Sequence, residues 1–296
     1  MISLHRSLLL WVLANMALVG HADSEKPISS ELRAAAVSVL EEGLDSDEFW
    51  PSMHAAEALT LAGHEESVLT RLEPLLSGET DDQKRCGLAR EMVRAGDLAK
   101  RSVLLGILTG EDSHGHVHAA ESLYKVGWEG NSTPFRKALE ESSDIRLRLM
   151  AAAALARHGR GDDRASGFAF LRMTLQDHPD PDTFRLAAWV LGRVGNKDDK
   201  ALLRARIPDA ESDLAKAFLH HSLALLGDAA GQSALLSNLE SDDPAIRTYA
   251  AVFAGECGLI EAIPLLTSQL QDEALDSRIR AAQAIIVLSQ DSTLTQ

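Results

Sequence analysis

At 296 residues, 45% hydrophobic but only 4% aromatic, the chain can bury a real core, and its apolar residues are mostly alanine and leucine. Both are strong helix formers, and alanine lets helices approach closely, which favours an all-α fold. The formal charge of −15, with no basic stripe, argues against nucleic acid and anionic membranes as partners.

The N-terminus reads as an export signal. His5 and Arg6 form a short polar start, an apolar run follows from Leu8 to Gly20, and Gly20-His21-Ala22 supplies small residues at a cleavage site. The run is shorter than the roughly 20 residues that span a bilayer, so no stable membrane anchor is expected. The expected organisation is a signal peptide over 1–22 and one domain over 23–296, placed in the periplasm or outside the cell. Of the two cysteines, Cys86 falls in the second repeat and Cys257 in the seventh, too far apart along a stack to pair.

From residue 54 onwards the chain repeats. The copies run His54–Gly63, Gly87–Gly96, His118–Gly127, Met150–Gly159, Leu186–Gly195, Phe218–Gly227, Tyr249–Gly258 and Arg280–Ser289. Their endpoints recur every 31–33 residues, except for one interval of 36 before Gly195, where extra loop is expected around 159–165 or 176–182. Each copy carries apolar residues at i, i+3, i+4 and i+7, the spacing of one helix face. In seven copies a closing glycine predicts a left-handed cap. A shorter amphipathic helix precedes each copy, as at 67–76, 133–139, 231–239 and 259–270, and the first helix is expected over Ser29–Glu42. Acidic turns separate the two helices: Asp81-Asp82, Ser143-Asp144, Asp180 to Asp182, Asp242-Asp243 and Asp276. Their side chains are placed to accept the free N–H groups of the following helix. An arginine follows three or four residues later, at Arg85, Arg148, Arg185, Arg247 and Arg280.

This ladder of acid and arginine, the paired alanines and the closing glycine resemble HEAT repeats. The 31–32-residue period is most similar to the phycobilisome-lyase-like branch of that family. The resemblance spans about residues 29–289 and implies a right-handed α-solenoid of about eight antiparallel helix pairs with the second helices on its inner, concave face. Terminal pairs of such a stack are expected to turn a polar face outward.

Candidate functional residues follow from this placement. His54/Glu57 and His118/Glu121 repeat the motif His-Ala-Ala-Glu, each pair on one face of an inner helix. The HEAT family includes the di-iron enzyme deoxyhypusine hydroxylase, whose ligands are adjacent His-Glu pairs; the three-residue spacing here departs from that pattern. His114, His116 and His118 form the densest histidine cluster, with a spacing compatible with a transition metal. Trp50 and Trp128 sit at helix ends, as exposed anchors or as staples, whereas Trp189 reads as core. No Ser/His/Asp order, phosphate loop or CxxC motif occurs. The leading expectation is therefore a non-enzymatic, monomeric scaffold without a cofactor, binding a protein or peptide, favourably a basic one, on its concave face. The alternative is a metal-binding or metal-dependent protein using the His and Glu residues of repeats one to three.

Overall fold

The computed structural model describes residues 28–290; the expected signal segment 1–22 and the tail from 291 lie outside the described residues. Sixteen α-helices and five short 3₁₀ turns make up the fold, with no strand among the described residues. They form eight pairs, an outer helix preceding an inner one. The first four pairs are α1 (Ser30–Leu44) with α2 (Phe49–Leu61), α3 (Glu65–Gly78) with α4 (Asp82–Arg94), α5 (Arg101–Thr109) with α6 (His116–Val126), and α7 (Thr133–Glu141) with α8 (Ile145–His158). The last four are α9 (Asp162–Asp177) with α10 (Pro181–Val194), α11 (Lys200–Arg206) with α12 (Asp213–Leu225), α13 (Ala229–Asn238) with α14 (Pro244–Glu256), and α15 (Ile263–Gln269) with α16 (Leu275–Ser289). The molecule is an all-α solenoid of eight helix pairs.

The acidic turns cap the inner helices. Asp81 accepts from the backbone N–H groups of Gln83 and Lys84, Asp144 from Arg146 and Leu147, Asp180 from Thr183, and Asp243 from Ala245. Asp276 departs from the pattern: it lies inside α16, whose N-cap is Ala274, and its carboxylate turns inward. Ser29 caps α1, accepting from Leu32 N–H at 3.1 Å. The closing glycines also divide. Gly63, Gly96, Gly127, Gly227 and Gly258 have positive φ, whereas Gly159 and Gly195 are extended with negative φ. The long interval before Gly195 holds no long loop; its extra residues extend α9 to 16 residues.

The arginines that follow the acidic turns take several partners. Arg85 and Arg185 bind the acids of their own turns, Asp82 and Asp182. Arg247 reaches Asp272 of the next repeat at 2.8 Å, while Arg148 donates to the Leu139 carbonyl and lies over the Phe170 ring. Between inner helices the contacts are small: Ala119, Ala120, Ala151, Ala152, Ala187 and Ala188 are all fully buried.

The two ends of the stack do not face solvent. Helix α16 packs against both α1 and α2, so the eight inner helices form a closed ring. Leu40 and Leu59 of the first pair share one buried cluster with Phe253, Ile279 and Ile285 of the last two. Gly43 makes the close approach possible: a Cβ there would lie 2.7 Å from Ile279 Cδ1 and 3.1 Å from the Ala55 Cβ. Gln290 Nε2 adds a hydrogen bond to the Leu61 carbonyl at 2.8 Å. The apolar surface that an open stack would leave at each end is buried here by the other end, so the expectation of polar terminal faces gives way to a seam.

Candidate functional site

The inner ring encloses a cavity of about 900 Å³, lined entirely by side chains of even-numbered helices. The repeat register explains the lining. The first residue of seven of the eight copies faces the cavity: His54, His118, Met150, Leu186, Phe218, Tyr249 and Arg280. Seven positions after the start of their copies stand Arg94, Lys125, Arg157, Arg193, Leu225 and Glu256, also on the lining and each the last or next-to-last residue of its helix. Half of the lining thus comes from two columns of the repeat, about two helical turns apart.

One wall is a charged network around the seam. Glu57 is held by Arg94 at 2.8 Å and by Arg280 at 3.2 Å. Arg94 also binds Glu91, a fully buried carboxylate that takes a second bond from Arg90 at 2.5 Å. His54 Nδ1 lies 2.6 Å from Asp276 Oδ1. Burial pushes the Glu57 carboxyl up, but Arg94 and Arg280 overcome this and hold it well below the usual carboxylate range. Asp276 is likewise raised by burial and lowered by more, through the His54 hydrogen bond and Arg280. Burial and then Arg280 lower the pKa of His54, so its imidazole is neutral near pH 7 and its Nδ1–H donates to the carboxylate.

The neighbouring wall joins charge to aromatic rings. Lys125 binds Glu121 at 2.7 Å and lies over the Trp189 ring. Burial would raise the Glu121 carboxyl, yet Lys125 and Arg90 bring it down to about 2. Arg193 also lies over the Trp189 ring, 4.6 Å from its centroid, and binds Glu256 through Nε and Nη2 at 3.2 and 2.6 Å. Tyr124 meets Trp189 edge to face at 5.6 Å. Trp189, read from sequence as core, is a half-buried lining residue.

The two His-Ala-Ala-Glu motifs therefore reach one cavity, His54 and Glu57 from α2, His118 and Glu121 from α6. They serve different partners. His118 stacks on Trp50 with centroids 5.2 Å apart, and burial lowers its pKa. Trp50 lies in the first turn of α2, slightly exposed beyond a third of its surface, rather than in the turn before it. Trp128 is packed at 4.1 Å on Phe135 and edge-on to His158, which closes the junction of α6 and α7 away from the cavity. The histidine triplet is dispersed: His116 Nε2 bonds the Gly110 carbonyl, His114 Nε2 faces Asp81, and only His118 lines the cavity. Among the described residues, no group of three or more His, Cys, Asp or Glu side chains is placed to hold a metal ion. Cys86 and Cys257 are both free, and burial pushes each thiol up to about 12.

The sequence reading passed over the cationic lining. Its signal was present: a basic residue stands two places before the closing glycine in four consecutive copies, at Arg94, Lys125, Arg157 and Arg193. Seven lining side chains are Lys or Arg against five carboxylates, so the cavity carries an excess of two positive charges inside an acidic protein. The expectation of a basic partner rested on the charge of the whole chain, and the cavity has the opposite local sign.

The family model for HEAT repeats matches residues 132–224, the three consecutive helix pairs from α7 to α12. No curated protein matches the chain at a significant level. Among solved structures, the chain is similar to human deoxyhypusine hydroxylase in complex with glycerol, at 15% identity and a TM-score of 0.41, over 87% of this chain and 97% of that one. Two engineered proteins are similar at 18% and 17% identity, with TM-scores of 0.32 and 0.25, covering 86% and 88% of this chain and 82% and 97% of theirs.

Proposed function

We propose that this protein is an exported, non-enzymatic HEAT-repeat binding module that holds a peptide segment of a partner in its central cavity. The observation that carries the reading is the cavity itself: about 900 Å³, bounded by eight inner helices, with ion pairs and aromatic rings on the same walls. That volume lies at the upper end of small-molecule sites and is far too small for a folded domain, whereas a short segment fits it. Its mixed lining suits a peptide, which offers polar groups and side chains at alternating positions. The carboxylates of the lining are each tied to a cation or to His54, an arrangement suited to binding rather than to proton transfer. The apolar segment Leu8–Gly20 and the small residues after it support export, and the 31–32-residue period supports the phycobilisome-lyase-like branch of the HEAT family.

The purified protein titrated against a panel of short peptides tests the binding reading. A subset is expected to bind in the micromolar range and to lose affinity when Trp189 is replaced by alanine. A panel without any binder below about 1 mM, roughly −4 kcal/mol, would sink it. Export is tested separately by N-terminal sequencing of the protein recovered outside the cytoplasm, which is expected to begin at Asp23.

A further inference from the structure

The excess positive charge of the cavity can be assigned to two residues. Every lining carboxylate is engaged by a partner: Glu57 by Arg94 and Arg280, Glu121 by Lys125, Asp182 by Arg185, Glu256 by Arg193, and Asp276 by His54. The cations left over are Arg146 and Arg157. Neither makes an ion pair with an acid among the described residues, and both stand on α8 with Met150 between them on the lining. Eleven residues of helix separate them, about 16 Å at 1.5 Å per residue.

A second, independent feature lies beside Arg157. Its guanidinium sits 5.3 Å from the centroid of the Tyr124 ring. Tyr124 is fully buried, lines the same cavity, and its hydroxyl has no hydrogen-bond partner among the described residues. A buried hydroxyl left unpaired is destabilising, so an acceptor that reached it would recover that loss. Arg157 presents a planar fork of donors and no acceptor. The partial negative charge at the end of α8 attracts it but does not occupy those donors. A guanidinium with free N–H groups beside an unpaired phenol O–H is a two-donor set, and the chemical species it matches is an oxyanion.

We propose that Arg157 and Tyr124 form an oxyanion subsite of the cavity, and that it takes the carboxylate of an acidic side chain in the bound peptide. Arg157 supplies charge and a bidentate pair of hydrogen bonds. The Tyr124 hydroxyl donates a further bond, and the half-buried Trp189 ring packs on the apolar part of the segment. The identity of the peptide as the source rests on the function proposed above; the oxyanion chemistry does not.

Isothermal titration of the purified protein with three probes separates these levels. They are an acetylated, C-terminally amidated hexapeptide alternating leucine and glutamate, its glutamine counterpart blocked in the same way, and inorganic phosphate. The glutamate peptide is expected to bind at least tenfold more tightly than the glutamine peptide. Arg157→Gln, at an exposed position where the fold should persist, is expected to erase that difference. Tyr124→Phe is expected to weaken the glutamate peptide about threefold or more while leaving the melting temperature unchanged or higher, which a purely structural tyrosine would not do. Equal binding of the two peptides, or an unaltered preference in Arg157→Gln, overturns the subsite and leaves the peptide reading intact. Phosphate binding lost in Arg157→Gln, with neither peptide bound, keeps the subsite and removes the peptide. Silence from all three probes removes both.

Discussion

The imidazole of His54 and the carboxylate of Asp276, 222 residues apart in sequence, meet at 2.6 Å and tie the first helix pair to the last. Alanines fill many of the inner-helix contacts around the ring, and at the seam this polar pair joins them. The pair is only partly exposed, at 22% and 33%. A cycle of His54→Ala, Asp276→Ala and the double variant, measured by urea denaturation, should give a coupling of about 1–2 kcal/mol. Strict additivity of the two losses would remove the pair from the seam.

Packing at the seam makes a second prediction. Ile279 is fully buried and packs against Gly43. Ile279→Ala should cost about 2–5 kcal/mol through the cavity it leaves. Leu191→Ala, in the middle of the chain and equally buried, should cost a similar amount. The two should differ in shape: small-angle scattering should show an enlarged radius of gyration for the seam variant alone, because only there does the loss free two ends of a ring. Indistinguishable scattering from both variants would argue that closure does not depend on this contact.

Glu57 anchors two arginines, Arg94 and Arg280, in the charged wall. Glu57→Gln keeps the shape and removes the charge, leaving two cations facing each other with one fewer anion between them. The expected loss is about 3 kcal/mol, since breaking a largely buried pair strands its partner. The arginines are expected to recover part of this in Glu57→Asp. A melting temperature unchanged in Glu57→Gln would show that Glu91 and solvent satisfy both cations.

Acid should destabilise the protein before its carboxylates begin to titrate. His221 is fully buried, its Nε2 accepts from Asn238 at 2.9 Å, and its Nδ1 has no partner among the described residues. Burial, then His220 and Arg193, lower its pKa from 6.5 to about 3. The unfolded chain takes up the proton near pH 6.5 and the folded chain only near 3, so between these values the unfolded state binds more protons and stability falls as pH falls. At pH 5 the loss from this residue is about 2 kcal/mol, from 1.5 pH units at about 1.4 kcal/mol each. His54, His118, His158 and His220 are shifted in the same direction. Denaturation at pH 7.5, 6 and 5 should show this decline, and His221→Leu should flatten it. Parallel pH profiles for the two proteins would contradict the assignment.

The architecture was readable from the sequence because a stack of helix pairs is built of local rules. Glycine spacing and apolar residues at i, i+3, i+4 and i+7 placed the inner helices, and Asp81, Asp144, Asp180 and Asp243 cap as their position before a helix requires. What could not be read was anything that depends on curvature. No local signal says that α16 returns to α1, since the angle between successive pairs accumulates over the whole chain. Asp276 was therefore taken for a fifth cap when its partner is His54. Candidate residues fared according to the same logic. His54, Glu57, His118 and Glu121 reach the lining because they occupy inward columns, while Trp128, judged by its loop, packs on Phe135. The unpaired state of Arg157 was invisible, because it is defined by acids that other residues engage.

The seam also changes what the ends of the chain mean. In an open stack the first and last repeats are distinct parts, each exposed on one side, and fraying starts from them. Here α1 and α16 are neighbours like any other pair. The fold consequently has no structural beginning: a chain opened at the turn between α8 and α9 and joined across the seam would trace the same circle, with every repeat keeping both of its neighbours.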